Sequence, residues 1–144
     1  MAASNLPIFP STLLSSPTQF TNSTSTSTPT SILAAQTNGA KIEAILVASN
    51  DTSARDINLY VNVSATNYFI GCVSIPAGAG TIDTVPAVNL LTALSTGAAL
   101  LPLPVDANGN RYLYASSATS ITAAPGTTIT STKLINLVVI GGAF

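Results

Sequence analysis

Three successive strand-like segments between residues 39 and 75 constrain the fold of this chain more than any other feature. The middle segment, residues 55–64, alternates strictly between apolar and polar side chains. A period of two places one set of side chains against a core and the other toward solvent or a partner, which predicts a β-strand. The apolar set is Ile57, Leu59, Val61 and Val63, and the polar set is Asp56, Asn58, Tyr60 and Asn62.

The segments on either side also have the composition of strands. Residues 41–49 are apolar on both faces, which is typical of a strand buried on both sides, between two sheets or at an interface. Residues 68–75 contain Gly71, and a glycine inside a strand indicates a bulge or a close backbone approach. The two apolar faces of residues 41–49 are Ile42, Ala44 and Leu46 on one side, and Ile45 and Val47 on the other.

Turn signals divide the remaining chain into further short elements. Residues 86–95 predict a short helix, because apolar residues recur there at helical spacing after Pro86. Residues 98–105 are expected to be extended, because Pro102 and Pro104 interrupt a helix. Further strands are predicted at residues 31–35, 81–85, 111–116 and 128–140, with turns at 38–39, 106–110 and 125–126.

About seven or eight short strands separated by turns indicate an all-β domain over residues 31–144. The expected architecture is a β-sandwich or jelly roll with one short helix. Residues 1–30 differ in kind, because they are rich in serine and threonine, carry no charge and have no periodicity. We expect them to form an extended N-terminal arm.

The arm contains isolated apolar residues, which a simple linker does not need. A segment that cannot fold alone but carries such residues is expected to dock on a neighbouring subunit or another protein. A flexible leader without a partner is the alternative interpretation. The predicted partner-binding residues are Leu6, Ile8, Phe9, Leu13, Leu14 and Phe20.

Charge is unusually scarce in this chain. Charged residues make up 6% of the 144 residues, whereas about 25% is typical of globular domains. Such a surface suits a protein whose exterior is largely covered by neighbouring proteins. The basic residues are scattered, so nucleic acid is not an expected partner. No signal peptide is evident and no apolar run approaches the roughly 18 residues of a membrane span, so no membrane partner is expected.

Side chains suited to catalysis or metal binding are also few. The chain has no histidine, and its five acidic residues stand in no recognised motif spacing, so neither an enzyme nor a cofactor or metal site is expected. Cys72 is interpreted as a small buried residue rather than a nucleophile. Residues 106–110 resemble the beginning of a calcium loop but lack its glycine and glutamate at the sixth and twelfth positions, so a tight turn is preferred.

The tyrosines leave two interpretations open. Tyr112 and Tyr114 share one face of a predicted strand, and Tyr60 lies on the polar face of another. Exposed tyrosines on a sheet bind sugars or proteins. Cross-strand packing is the alternative, and it is favoured because aromatic residues are common in strands.

Three stretches together resemble a known family. Residues 50–61 read NDTSARDINLYV, residues 103–114 read LPVDANGNRYLY, and the chain closes with LVVIGGAF at residues 137–144. These stretches resemble small virion proteins of tailed bacteriophages. The chain departs from their pattern at Ala143, where an acidic residue is expected.

The resemblance implies a structural virion protein of the capsid decoration, or cement, type. Such a protein is a β-sandwich or jelly roll, made in the host cytoplasm, that sits on the capsid exterior and stabilises contacts between major capsid proteins. Proteins of this kind are commonly dimers or trimers, so the implied partners are the major capsid protein and further copies of the chain. A tail- or fibre-associated module that binds a receptor or glycan is the alternative.

Overall fold

The structure is a computed structural model that describes residues 9–93 and 103–144. These residues form nine β-strands and one helix of a single turn. The strands are β1 (Thr12–Phe20), β2 (Thr30–Leu33), β3 (Ala40–Ser49), β4 (Arg55–Val63), β5 (Thr66–Ile75), β6 (Val88–Asn89), β7 (Leu113–Ala115), β8 (Thr119–Pro125) and β9 (Ile135–Ala143), and the helix is α1 (Leu90–Ala93). No helix within the described ranges is long and apolar enough to cross a membrane.

The strands form two antiparallel sheets. In the first, here called sheet A, β1 pairs with β9, β9 pairs with β3, and both of the short strands β6 and β7 pair with β3. In the second, sheet B, the order is β2-β8-β4-β5. The core lies between the two sheets, so each sheet has one buried face and one outer face.

The pairing pattern is that of a jelly roll. In sequence order, the outermost strands β1 and β9 pair with each other, and so do the next two, β2 and β8. Further inward, β3 pairs with β6 and β7, which together occupy one position, and β4 pairs with β5. A long antiparallel hairpin that folds over into two sheets gives this order. The predicted all-β sandwich or jelly roll with one short helix is therefore confirmed.

The strict alternation of β4 builds the middle of sheet B as expected. Ile57 and Leu59 are fully buried, and Val61 packs against the same core. Across the core, β3 and β9 supply buried residues such as Ile45 and Leu137. Each fully buried leucine or isoleucine side chain contributes about 1.5–3 kcal/mol to folding. The predicted bulge near Gly71 is confirmed, because the β4–β5 register shifts between Leu59–Gly71 and the following pair.

β3 corrects the prediction of burial on both faces. Its register with β9 shifts between Ile42 and Ala44, which leaves Glu43 as an extra residue in a bulge. A bulge changes the phase of the alternation, so Ile42 and Ile45 both face the core although their spacing is odd. Leu46 therefore points outward and is 40% exposed. One face of β3 is buried, and the apolar character of the other needs a different explanation.

β1 corrects the predicted boundary at residue 30. Residues 12–20 form the edge strand of sheet A, and Phe20 is fully buried in the core. The Ser16 hydroxyl donates a hydrogen bond to the carbonyl oxygen of Ile32 in sheet B at 2.9 Å. Pro17 is compatible with β1 because an edge strand has one side free of ladder hydrogen bonds. The sandwich thus begins at residue 12.

Other predicted elements differ in their bounds. The predicted helix begins later than expected, because residues 88–89 form β6 and α1 begins at Leu90, and its predicted end at residues 94–95 lies outside the described residues. Residues 81–85 are not a strand but a turn closed by an isolated bridge between Ile82 and Val85. Residues 94–102, which include most of the segment predicted to be extended, lie outside the described residues. The last strand begins later than predicted, at Ile135.

Candidate functional site

The two ends of the described chain meet at one end of sheet A. The Ser11 N–H donates to the carbonyl oxygen of Ala143 at 2.7 Å, just before β1 begins. Pro10 lies directly on Gly142, where a Cβ atom would overlap the proline ring. These contacts border an open groove of about 730 Å³, here called the terminal groove. Its lining residues are Phe9, Pro10, Asn38, Lys41, Tyr114 and Phe144.

Aromatic rings form one wall of the terminal groove. Tyr112 and Tyr114 pack edge to face with ring centroids 5.1 Å apart, and the Phe144 ring lies 6.3 Å from that of Tyr114. Tyr114 is nevertheless 59% exposed. Its remaining surface is therefore available to another molecule, and aromatic rings contribute large contact areas to interfaces.

A lysine supplies positive charge at the rim of the terminal groove. The Lys41 Nζ lies 4.9 Å from the centroid of the Tyr112 ring, within the range of a cation–π interaction. The same nitrogen lies 3.0 Å from Oε1 of Glu43. The hydrogen bond to Glu43 raises the pKa of Lys41 above its usual value. The groove thus combines apolar rings with a charged pair at its edge.

The predicted turn at residues 106–110 lies before Tyr112 and before β7, the strand that carries Tyr114. The carboxylate of Asp106 accepts hydrogen bonds from the N–H groups of Asn108 and Asn110 at 2.8 and 2.9 Å. These hydrogen bonds, and most of all the one from the Asn110 N–H, lower the pKa of Asp106 below its usual value. Val105 and Arg111 form a bridge beside the turn. The carboxylate thus organises a tight turn, as the sequence predicted.

Of the six predicted partner-binding residues, the four that the structure describes do not lie together. Leu6 and Ile8 fall outside the described residues. Phe9, on the rim of the terminal groove, is 74% exposed, and Leu13 is 91% exposed at the beginning of β1. Leu14 packs against the core and Phe20 lies inside it, because alternation along β1 turns both residues inward. Leu14 and Phe20 thus contribute to the core of this chain, and partner binding by the six residues stays a prediction.

The outer surface of sheet A is apolar over most of its area. Leu46 and Ile140 are 40% and 37% exposed there, beside the more exposed Leu13. The charged residues of β1, β3 and β9 are Lys41 and Glu43, both near the beginning of β3. We call this outer surface face A. Its apolar side chains are Leu13, Pro17, Ala44, Leu46, Val138 and Ile140.

The outer surface of sheet B, face B, combines a network of amides and hydroxyls with an aromatic pair, of which Phe69 is 53% exposed. The Asn67 Oδ1 accepts hydrogen bonds from the Asn62 amide at 2.9 Å and from the Thr122 hydroxyl at 2.8 Å. Tyr60 packs across the strands on Phe69, with ring centroids 5.5 Å apart, as the favoured interpretation of the tyrosines predicted for this residue. The outward side chains of β4, β5 and β8 include Asn58, Tyr60, Asn62, Asn67, Phe69, Ser120 and Thr122.

A buried carboxylate joins the two sheets at the end opposite the terminal groove. Asp51, between β3 and β4, accepts hydrogen bonds from Arg55 Nε at 2.8 Å and from the Thr130 hydroxyl and N–H at 2.7 and 2.9 Å. Burial acts to raise the pKa of Asp51, but the hydrogen bonds from Arg55, Thr130 and Ser53 outweigh it, so the pKa falls well below its usual range. All its partners belong to the fold, so we interpret this carboxylate as structural.

The terminal groove is the arrangement best suited to bind another molecule. Within residues 9–93 and 103–144, no three His, Cys, Asp or Glu side chains come together as metal ligands do. Sequence reasoning missed Asn38, Lys41 and Phe144 as groove residues, because they come from separate parts of the chain. Tyr114 carried a signal, since it was noted as a candidate for sugar or protein binding.

Comparison of the chain with protein-family models, with curated proteins and with solved structures finds no significant match.

Proposed function

We propose that this chain is a structural virion protein of the capsid decoration type, which binds the outside of a phage head and stabilises contacts between major capsid proteins. The observation that carries the proposal is the terminal groove, which lies where the chain enters the sandwich. Phe9 is exposed on its rim, next to the exposed ring of Tyr114. Residues 1–8 precede this point, and they include the predicted anchors Leu6 and Ile8.

The composition of the groove favours lasting protein contact. Rings such as Tyr114 and Phe144 bury large apolar areas when a partner chain covers them. The scarcity of charge in the whole chain points the same way, because attraction between uncharged surfaces does not depend on ionic strength. Attachment to capsids is therefore expected to survive high salt.

The jelly-roll topology and the motifs at residues 50–61, 103–114 and 137–144 are consistent with this role. A fold alone does not define a function, so the fold counts as support by analogy. The groove and the N-terminal segment are the features that an experiment can address directly.

Deletion of residues 1–9 tests the proposal, because it removes the predicted anchors Leu6, Ile8 and Phe9 and leaves β1 complete. A longer deletion, to residue 30, would remove a strand of sheet A and confuse binding with folding. Phage capsids assembled without this protein are mixed with the intact or the shortened chain. The occupancy of capsids by the chain is then measured by co-sedimentation and electron microscopy. We expect the deletion and a Tyr114→Ser variant to lower occupancy, while Phe69→Ser on face B leaves it unchanged.

Two results would count against the proposal. If the intact chain does not bind capsids, the decoration role is wrong. If the shortened chain and Tyr114→Ser bind as well as the intact chain, the terminal groove and N-terminal segment are not the attachment site.

The exposed ring of Tyr114 also favours a second candidate, a tail- or fibre-associated module that binds glycans. A sugar ring can stack on an exposed tyrosine, and the Asn38 amide and Lys41 ammonium beside it are hydrogen-bond donors. This candidate predicts binding on a glycan array that Tyr114→Ala abolishes. An array without binding removes this candidate and leaves the decoration role as it stands.

A further inference from the structure

Face A carries partly exposed apolar side chains on three neighbouring strands, β1, β9 and β3. Leu13, Leu46 and Ile140 account for three of the exposed large apolar residues, and all three lie on this one face. Contiguous apolar patches of this kind mark interaction sites on soluble proteins. We propose that face A is a contact surface between two copies of this chain, which pack face to face across a two-fold axis. This inference does not depend on where the protein works.

The size of face A suits a dimer contact. Strands β1, β9 and β3 lie side by side over nine residue pairs, which corresponds to roughly 14 Å by 30 Å of sheet. With the relief of the side chains included, two such faces bury roughly 1,000 Å² between them, near the lower limit of a specific interface. Sheets also pack face to face in the interior of this protein, so the contact repeats a geometry that β-structure readily forms.

The relief of face A allows it to pack against itself. Larger side chains such as Leu46 and Ile140 alternate with small ones such as Ser15, Ala44 and Ala48. A two-fold contact brings the same patch from both copies together, so the patch must contain both projections and hollows. A single face can contact only one other copy, whereas a ring needs two contact surfaces on each copy. We therefore infer a closed pair rather than a ring.

The distribution of polar groups also suits a two-fold pair. Lys41 and Glu43 lie at one end of face A, and a hydrogen bond of 2.9 Å joins Gln19 to Asn136 at the other end. If the two-fold axis lies between the two faces, parallel to the sheets and perpendicular to the strands, the charged end of each copy faces the amide end of its partner. No charge then meets its like, and the apolar centre is enclosed by a polar rim, as in known interfaces.

Sedimentation velocity of the full-length chain over about 1 to 200 μM tests the proposal, together with single charge substitutions on each face. We expect a dimer, and we expect Leu46→Glu and Ile140→Glu to weaken it at least about 100-fold, because each would bury an unpaired carboxylate. Phe69→Glu on face B is the matched control, since it places the same charge on an exposed strand residue outside the contact. Leu13→Glu, at a side chain that is almost fully exposed, gives a variant whose folding is not at risk.

Thermal unfolding of each variant separates loss of association from loss of folding. A folded monomer for Leu46→Glu or Leu13→Glu beside a dimeric Phe69→Glu supports the proposal. A wild-type chain that stays monomeric over the whole range overturns it, including the case in which residues 1–8 cover face A of their own copy. A trimer, or a dimer that the face A substitutions leave intact, overturns it as well.

Discussion

The two outer faces of this sandwich belong to the same fold but treat their side chains in opposite ways. On face B, the side chains of Asn62, Asn67 and Thr122 hydrogen-bond to one another. On face A, Leu46 and Ile140 stay partly exposed to water. Satisfied polar groups stabilise the single chain and offer little to a partner, whereas exposed apolar groups gain free energy only when something covers them. The comparison separates a surface whose polar groups are satisfied within the chain from one that, as we propose, serves association.

The largest expected effect is on stability, and it comes from the hydrogen-bond network around Asp51. This network joins the two sheets, so the positions of face A and face B depend on it. Asp51→Ala removes the acceptor for the Arg55 guanidinium and the Thr130 N–H. Loss of one partner of a buried ion pair costs about 4 kcal/mol. We expect the free energy of unfolding in urea to fall by that order. The exposed pair gives the control, because Glu43→Gln should change it by less than about 1 kcal/mol.

The same carboxylate predicts a dependence of stability on pH. Because the pKa of Asp51 is lower in the folded chain than the usual value of about 4, its contribution is complete above that value and declines as the pH falls toward the folded pKa. Wild-type chain should lose stability steadily below about pH 4. The Asp51→Asn variant should lose less over the same interval, and an equal acid slope in the two proteins would exclude Asp51 as the cause.

Two neighbouring glycines test the register that assigns residues to the faces. A Cβ at Gly141 would overlap the Lys41 carbonyl oxygen and press on the β3 backbone. A Cβ at Gly142 would instead overlap the ring of Pro10, which lies just before β1 and can move aside. Gly141→Ala should therefore lower the free energy of unfolding by about 3 kcal/mol, and Gly142→Ala by far less. Equal losses in chemical denaturation would show that the register of β9 is wrong.

The hydrogen bonds of face B are expected to contribute a moderate amount. Asn67→Ala leaves the hydroxyl of Thr122, a buried residue, without its acceptor, whereas water can replace the acceptor in the exposed hydrogen bond of the Asn62 amide. Leaving such a group unsatisfied costs about 1–2 kcal/mol. Unfolding of both proteins by denaturant, at the same protein concentration, will measure this loss. The substitution should leave the oligomeric state unchanged. A variant as stable as wild type would show that the network does not support the fold.

The smallest effect on the single chain is expected from face A itself. Leu46→Thr introduces a β-branched side chain suited to a strand and removes apolar surface that is already partly exposed. At concentrations at which both proteins are monomeric, the free energy of unfolding of the variant should differ from that of wild type by less than about 0.5 kcal/mol. Association should weaken in the same variant. A large loss of stability in the monomer would mean that face A serves folding, which would remove the contrast.

The sequence predicted those parts of the fold in which alternation is strict. β4 shows this best, because Ile57 and Leu59 enter the core while Asn58 and Tyr60 face outward, as their period requires. β8 was not predicted, although it lies in the middle of sheet B. Its small residues, such as Thr122, Ala123 and Ala124, are buried on both faces, so apolar and polar positions do not alternate there.

Pairing and phase depended on information that local patterns do not contain. Gly39 has a φ of +88° and forms the expected turn, but β2 before it pairs with β8 and β3 after it pairs with β9, so the turn crosses between sheets instead of closing a hairpin. The bulge at Glu43 reversed the phase of β3. The partner of β1 lies more than a hundred residues away, which made residues 12–20 look like an unpaired arm.

The terminal groove was the least predictable feature. Its residues come from the beginning, the end and two interior strands of the chain, and only the jelly-roll pairing brings them together. Phe9 was predicted to bind a partner, and Tyr114 was noted as a candidate, but their proximity followed from long-range pairing. Face A was foreseen only in part, because an interface was one interpretation of the apolar residues of β3, but their neighbours on β1 and β9 follow from long-range pairing.

Covalent footprinting of the full-length chain, read by mass spectrometry at a dilute and at a high concentration, compares the two faces most directly. We predict that labelling of Leu13, Leu46 and Ile140 falls severalfold at high concentration, while labelling of Phe69 on face B does not change. Equal labelling of face A at both concentrations, or protection of Phe69 instead, would contradict the assignment of face A as the surface of association.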